Sequence, residues 1–252
     1  MYFLEKTEHF VTKLLEHNTT SDAKILSKVY DDASASWANR MIFELRARSF
    51  NPRLLARKIM AISPVPKGSV NCLDVGCNIG AKTNLHLKIL NFLGATDIKF
   101  HGIDTSKKAI QIISKLNTNP NVTYEQANFL NMDLKENSYD YIFLAAVWHH
   151  IENPALAIKQ LEKALKPNGV GIIFNGFYPE NSFFRILALI PQRLYRFIEH
   201  RNGLHYQKPL ISDIEILVMQ ECKSLKVCGH FLTGFPTNLF NTQMLVLNKR
   251  PS

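Results

Sequence analysis

Several protein classes are excluded by what this 252-residue chain lacks. Its four cysteines, Cys72, Cys77, Cys222 and Cys228, fall in two distant pairs, and neither has the Cys-x-x-Cys spacing of a zinc or redox site. No disulfide framework and no metal centre is therefore expected. No stretch approaches the ~18 consecutive apolar residues of a membrane span. The opening segment, MYFLEKTEHFVTKLLEHN, mixes acids and bases and has no apolar h-region, so no secretory signal is expected. Internal repeats and low-complexity tracts are missing as well. The expected location is cytoplasmic, with peripheral contact to a membrane surface as a variant.

What is present suits a globular α/β protein: 46% hydrophobic and 20% charged residues, enough to build a sizeable core. The net charge of +9 and a pI near 9.4 favour an anionic partner, nucleic acid or lipid, without choosing between them. Arg46, Arg48, Arg53, Arg57 and Lys58 form a run without acids, and Arg185, Arg193, Arg196 and Arg201 punctuate an apolar stretch.

The first sixty residues read as helical. Phe3, Phe10, Val11, Leu14 and Leu15 share one face, Trp37, Met41 and Leu45 mark a second helix, and Asn51-Pro52 caps a third running to Ile62. Residues 1–68 are expected to form a helical cap and 69–252 the main domain. From residue 70 strands and helices alternate. Strands are predicted at Val70–Val75, Ile98–Ile103, Val122–Glu125, Tyr139–Ala145 and Val170–Asn175. The helix after the first should bury Leu85, Ile89, Phe92 and Leu93, and the next Ala109, Ile112, Ile113 and Leu116. A further helix, Pro154–Leu165, should stop at the turn Lys166-Pro167-Asn168-Gly169. A helix at Asp213–Met219 and strands at Leu225–Cys228 and Gln243–Asn248 close the chain. This predicts a doubly wound, mostly parallel, Rossmann-like seven-stranded sheet with helices on both faces.

In such a sheet ligands bind outside the carboxyl ends of the strands. After the first strand comes Asp74-Val75-Gly76-Cys77-Asn78-Ile79-Gly80, where glycines permit a sharp turn and close backbone approach to a ligand. After the second comes Asp104, placed to accept from both hydroxyls of a ribose. The order continues with VTYEQANFLNMDLKENSYDY, then Ala145-Ala146-Val147-Trp148-His149-His150, then Leu165-Lys166-Pro167-Asn168-Gly169. Taken together over residues 70–175, these elements resemble the class I S-adenosylmethionine (SAM)-dependent methyltransferase family, in its small-molecule, type 11/12-like branch. A lone glycine loop would be weak grounds; five ordered elements are specific.

The resemblance implies SAM as cofactor. It implies that Asp74 supports the loop and reaches the methionine amino group, and that Gly76, Cys77, Asn78 and Gly80 pass beneath the cofactor. Asp104, with Thr105 beside it, would hold the ribose, and Asn128 and Phe129 the adenine. Ala145 would present its carbonyl to the methionine end. Tyr30-Asp31 resembles a segment that closes over the cofactor. Two residues depart from the family pattern: Asn78 stands at the middle glycine of DxGxGxG, where asparagine tolerates positive φ, and Asn128 stands at the usual acid. A nicotinamide fingerprint, GxGxxG with an acid about twenty residues on, fits less well, because the third glycine is missing and the acid lies farther away.

Methyl transfer from a sulfonium needs alignment, exclusion of water and, for some acceptors, a base. His149 and His150 are the candidate bases. Trp148, Tyr178, Phe183, Phe184, His205 and Tyr206 are candidates for the acceptor side. The apolar segment Ser182–His200 falls where small-molecule methyltransferases insert a lid, expected at about residues 178–210. An apolar, lipid- or quinone-like acceptor is therefore expected, methylated on O or C. No Asn/Asp-Pro-Pro-Tyr/Phe motif follows the fourth strand, and no Pro-Cys or Thr-Cys nucleophile occurs, against amino methylation of adenine or glutamine and against cytosine C5 chemistry. RNA methylation through the basic run and SAM binding without turnover are the alternatives.

Overall fold

The computed structural model describes residue 48 and residues 50–176, 211–233 and 242–251. Its first complete helix, α1 (Pro52–Ile62), begins as the sequence predicts. The Asn51 side chain accepts from the Leu54 amide at 3.0 Å, and Pro52 fills a first-turn position whose N–H would have no partner. Leu55, Ala56 and Ile59 are buried, and the chain leaves the helix in extended form at Ser63, before Pro64.

The elements that follow are β1 (Gly68–Val75), α2 (Thr83–Leu93), β2 (Ala95–Asp104), α3 (Lys107–Leu116), β3 (Val122–Gln126) and β4 (Tyr139–Ala145). A 3₁₀ turn at Trp148–His150 leads to α4 (Pro154–Ala164) and β5 (Leu165–Gly176), and then come α5 (Ile211–Glu221), β6 (Leu225–Leu232) and β7 (Thr242–Lys249). The seven strands form one sheet in the order β3-β2-β1-β4-β5-β7-β6. β1 to β5 run parallel, and β7 pairs antiparallel with both β5 and β6. This is the mixed, doubly wound sheet expected from the alternation. Strand order reverses between β1 and β4, which opens a crevice at their carboxyl ends.

Helices cover both faces, so the central strands are buried on both sides. In β4, Ile142 and Leu144 enter one core with Ile158 and Leu161 of α4 and Ile214 and Val218 of α5. Their neighbours Tyr141, Phe143 and Ala145 enter the other core with Leu55 and Ile59 of α1 and Leu85 and Ile89 of α2. The alternation is the two-residue period of a strand. α1 therefore shares a core with β1 and α2.

Some details differ from the sequence reading. Phe92 is 47% exposed, because the buried stripe of α2 runs through His86, Ile89, Leu90 and Leu93. In α3 only Ala109 and Ile110 are buried, and Leu116 is 66% exposed. Its neighbour β3 is a five-residue edge strand and offers little surface to cover. The turn at Lys166–Gly169 lies inside β5 as a bulge: Tyr139 pairs with Leu165 and Tyr141 with Val170, and Asn168 takes a left-handed φ of 63°. α4 stops one residue before Leu165. Lys249 places its ammonium on the Glu162 and Leu165 carbonyls there, a cation where the helix dipole favours one. The two helices expected before residue 50, most of the residue 1–68 cap and the 178–210 lid lie outside the described residues.

Candidate active site

The loop after β1 has three left-handed residues, Gly76 (φ 71°), Asn78 (φ 50°) and Gly80 (φ 76°). Its amides all have acceptors. Gly76 and Cys77 donate to the Ile103 carbonyl, Asn78 to Asp104 Oδ2 at 2.8 Å, Ile79 to Asn78 Oδ1 at 2.7 Å, and Gly80 to the Cys77 carbonyl. Asparagine at the middle position thus tolerates the left-handed turn and also binds the next amide itself.

Asp104 ends β2 and is the pivot of this arrangement. One carboxylate oxygen accepts from Asn78, the other from the Ser106 amide at 2.8 Å. It fixes the β1 loop against the start of α3. Asp74 does not have the loop-supporting place expected of it. It is 1% exposed and turns Oδ2 towards His86 Nδ1 of α2, 3.3 Å away, while the His86 ring stacks on Phe143 at 4.2 Å. Loop support comes from Asp104 because its carboxylate lies beside the amides, whereas Asp74 points down the β1 face towards α2. Burial, reinforced by Asp74 and Asp104, drives the Cys77 thiol far above its ordinary pKa, so it stays protonated.

Along the same rim, the Thr105 carbonyl accepts from Gln126, and Asn128 Oδ1 accepts from the Leu130 amide at 3.0 Å. Asn128 Oδ1 retains one lone pair for an adenine amine. Phe129 is buried in the core, with its backbone on the rim. At the end of β4, the Ala145 carbonyl accepts from Lys82 Nζ at 2.7 Å, and Ala146 turns left-handed (φ 58°) into the 3₁₀ turn.

That turn separates its three residues. Trp148, a candidate for the acceptor side, is 4% exposed inside the core with Leu73, Ile142 and Ile158; it packs the turn onto the sheet. His149 Nδ1 lies 2.8 Å from Asn175 Oδ1. With that oxygen accepting, His149 carries its proton on Nδ1 and Nε2 is the basic nitrogen. His150 stacks obliquely on His149 at 3.9 Å, and burial pushes its pKa down to about 4. A base that weak is almost fully neutral at pH 7 and a poor proton acceptor, so His149 is the better placed of the two.

The His150 shift has a consequence for stability. An unfolded histidine titrates near 6.5, so as pH falls from there towards 4 the unfolded state gains a proton that the folded state refuses. Stability from this group is complete above pH 6.5 and is lost by ~3 kcal/mol on reaching pH 4. Denaturant unfolding from pH 7.5 to 4 should show the stability of wild type relative to His150→Gln falling by about that amount. A constant difference across the range would refute the assignment.

Tyr30, Tyr178, Phe183, Phe184, His205 and Tyr206 lie outside the described residues. Three residues unnoticed in the sequence belong to the site region: Lys82, His86 and Asn175. Asn175 was detectable as a polar residue, 1% exposed, closing the apolar run Val-Gly-Ile-Ile-Phe. Lys82 was detectable as a cation at a helix start, where the dipole disfavours it. His86 gave no signal, since a histidine on a helix is ordinary.

Residues 73–173, from the end of β1 into β5, match the family model described as a methyltransferase domain. Over those residues the chain is similar to methyltransferase domains. The malonyl-[acyl-carrier protein] O-methyltransferase of Halalkalibacterium halodurans is 32% identical over 141 residues, 53% of this chain and 49% of that protein. The 2-phytyl-1,4-naphtoquinone methyltransferase of a Nostoc species is 25% identical over 118 residues, 45% and 50% of the two chains. This chain thus spans about half the length of these relatives. Among solved structures, a chain from the Haloferax volcanii complex of the Trm112 methyltransferase activator with a methyltransferase superposes with a TM-score of 0.66. The match has 15% identity and covers 88% of this chain and 98% of that one, a likeness of fold. The loop, Asp104 and Ala145 all fall within the matched residues, at the strand ends that flank the crevice.

Proposed function

We propose that the chain binds SAM in the crevice between β1 and β4 and methylates a small acceptor with an apolar, lipid- or quinone-like body. The observation that carries the reading is the Asp104 carboxylate, held by two backbone amides at the end of β2, beside the glycine loop, where an acid can face a ribose diol. The fit to the cofactor's other end rests on Ala145, whose carbonyl already takes an ammonium, that of Lys82. Asn128 suits the adenine amine. When bound, SAM supplies an electrophilic methyl group on a sulfonium.

The chain's own residues then have separable tasks. Asp104, the glycine loop and the Ala145 carbonyl orient the cofactor. His149 Nε2 takes the acceptor's proton where one must leave, with Asn175 fixing the ring. Tyr30 is assigned to the cofactor, and Tyr178, Phe183, Phe184, His205 and Tyr206 to the acceptor side, where methyl transfer needs water excluded. The naphthoquinone relative supports an apolar acceptor. In the basic run, Lys58 is engaged within the fold: it donates to the Leu232 carbonyl at 2.9 Å and lies over the Phe231 ring.

Calorimetry with S-adenosylhomocysteine, followed by a screen with labelled methyl donor, tests this. Micromolar binding and salt-insensitive labelling of a hydroquinone or lipid acceptor are expected. Labelling of RNA with steep salt dependence would replace the acceptor reading. Binding without turnover on any acceptor would make the chain a SAM-binding protein, and no binding at all would remove the cofactor reading.

A further inference from the structure

Lys82 is a cation in an unfavourable place with a specific partner. It is the residue before the first turn of α2, a position with no side-chain cap and no acid in the turn that follows. The helix dipole disfavours positive charge there by about 0.3–1 kcal/mol. Its Nζ nonetheless reaches across to the Ala145 carbonyl at 2.7 Å, and the bond is partly buried. Lys82 follows the loop of β1, and Ala145 ends β4, the strand paired with β1 on the side where sheet order reverses. The contact therefore spans the ligand crevice itself.

A ligand entering that crevice meets an ammonium at the start of a helix, a combination that attracts a carboxylate from two sources. It also meets a carbonyl able to bind an ammonium. An α-amino acid end presents both groups on one carbon. Resting on the SAM reading given above, we propose that Lys82 receives the carboxylate of the cofactor's amino-acid end and yields the Ala145 carbonyl to its ammonium. Lys82 stands in for the ligand's ammonium in the free protein and pairs with its carboxylate in the complex. A ligand with the amine and no carboxylate would bring two like charges together at Ala145 and be rejected. Lys82 is thus a specificity determinant, and the loop contains no second cation to replace it.

The test compares two probes on the full chain by calorimetry. S-adenosylhomocysteine has both groups; S-adenosyl-3-thiopropylamine has the amine alone. Wild type should prefer the first by about 10- to 150-fold, the range of one charge-assisted pair. Lys82→Met should lower that preference to about 2-fold or less, by weakening S-adenosylhomocysteine, and Lys82→Arg should restore much of it. A thermal melt of each variant reports folding independently. If Lys82→Met keeps the wild-type preference, or binds S-adenosylhomocysteine more tightly, the carboxylate assignment is overturned while the SAM site stands. If wild type binds neither probe, both fall.

Discussion

Asp104→Ala should reduce affinity for S-adenosylhomocysteine by about 100-fold or more, with the fold retained. The substitution removes the acceptors proposed for the ribose, and it also releases the Asn78 and Ser106 amides that hold the β1 loop against α3. Hydrogen bonds to a charged group contribute roughly 1.5–3 kcal/mol each, and two such losses at a ligand rim exceed the ~2.7 kcal/mol that a 100-fold change requires. Asp104→Asn separates the effects. Its single carbonyl oxygen can keep one of the two amides, while its NH₂ group faces the other, donor to donor. An intermediate affinity is expected, nearer to the alanine variant. Wild-type affinity in a folded Asp104→Ala protein would mean that ligand does not bind on this rim.

Gly76→Ala should destabilise the protein by about 3 kcal/mol, from two separable causes. Its φ of 71° strains any residue with a Cβ, at roughly 1–2 kcal/mol. The added methyl would also sit 2.6 Å from Val147 Cγ2 and 3.0 Å from Val147 Cβ. Valine is branched at Cβ and cannot swing away, so the loop or the Ala145–Val147 segment must shift, at about 1–3 kcal/mol. The melting temperature should fall by on the order of 10 °C. In a Val147→Ala background, which removes the 2.6 Å contact and leaves only Cβ at 3.0 Å, the cost should shrink towards the backbone part. An equal cost in both backgrounds would show that Val147 does not press on Gly76.

The two variants probe one feature from opposite sides. Gly76 is held by van der Waals contact with the turn after β4, and Asn78 by the acid after β2. The loop after β1 is thus clamped between its two neighbouring strand ends, which are far from it in the chain.

Much of this was legible from residues alone. The alternation of buried-type strands and helices determined the doubly wound sheet, because each pattern admits one period and each period one kind of element. The strand-end positions of Asp74, Gly76, Gly80, Asp104 and Ala145 followed from the same pattern, since a parallel sheet brings every such end to one side. The caps at Asn51 and Asn153 are local, and local rules suffice for them. What tertiary structure decided is which group each of these residues faces. Asp74 and Asp104 are both acids at strand ends, yet one is buried against His86 and the other holds the loop, a difference set by depth in the sheet and by the helices packed on it. His149 and His150 are neighbours in sequence, and only the packing of the 3₁₀ turn sets one beside Asn175 and buries the other far enough to lower its pKa. Lys82 became informative only when β4 placed Ala145 across the crevice from it, 63 residues away. Periodicity determines elements, while pairings between distant elements depend on the packed whole.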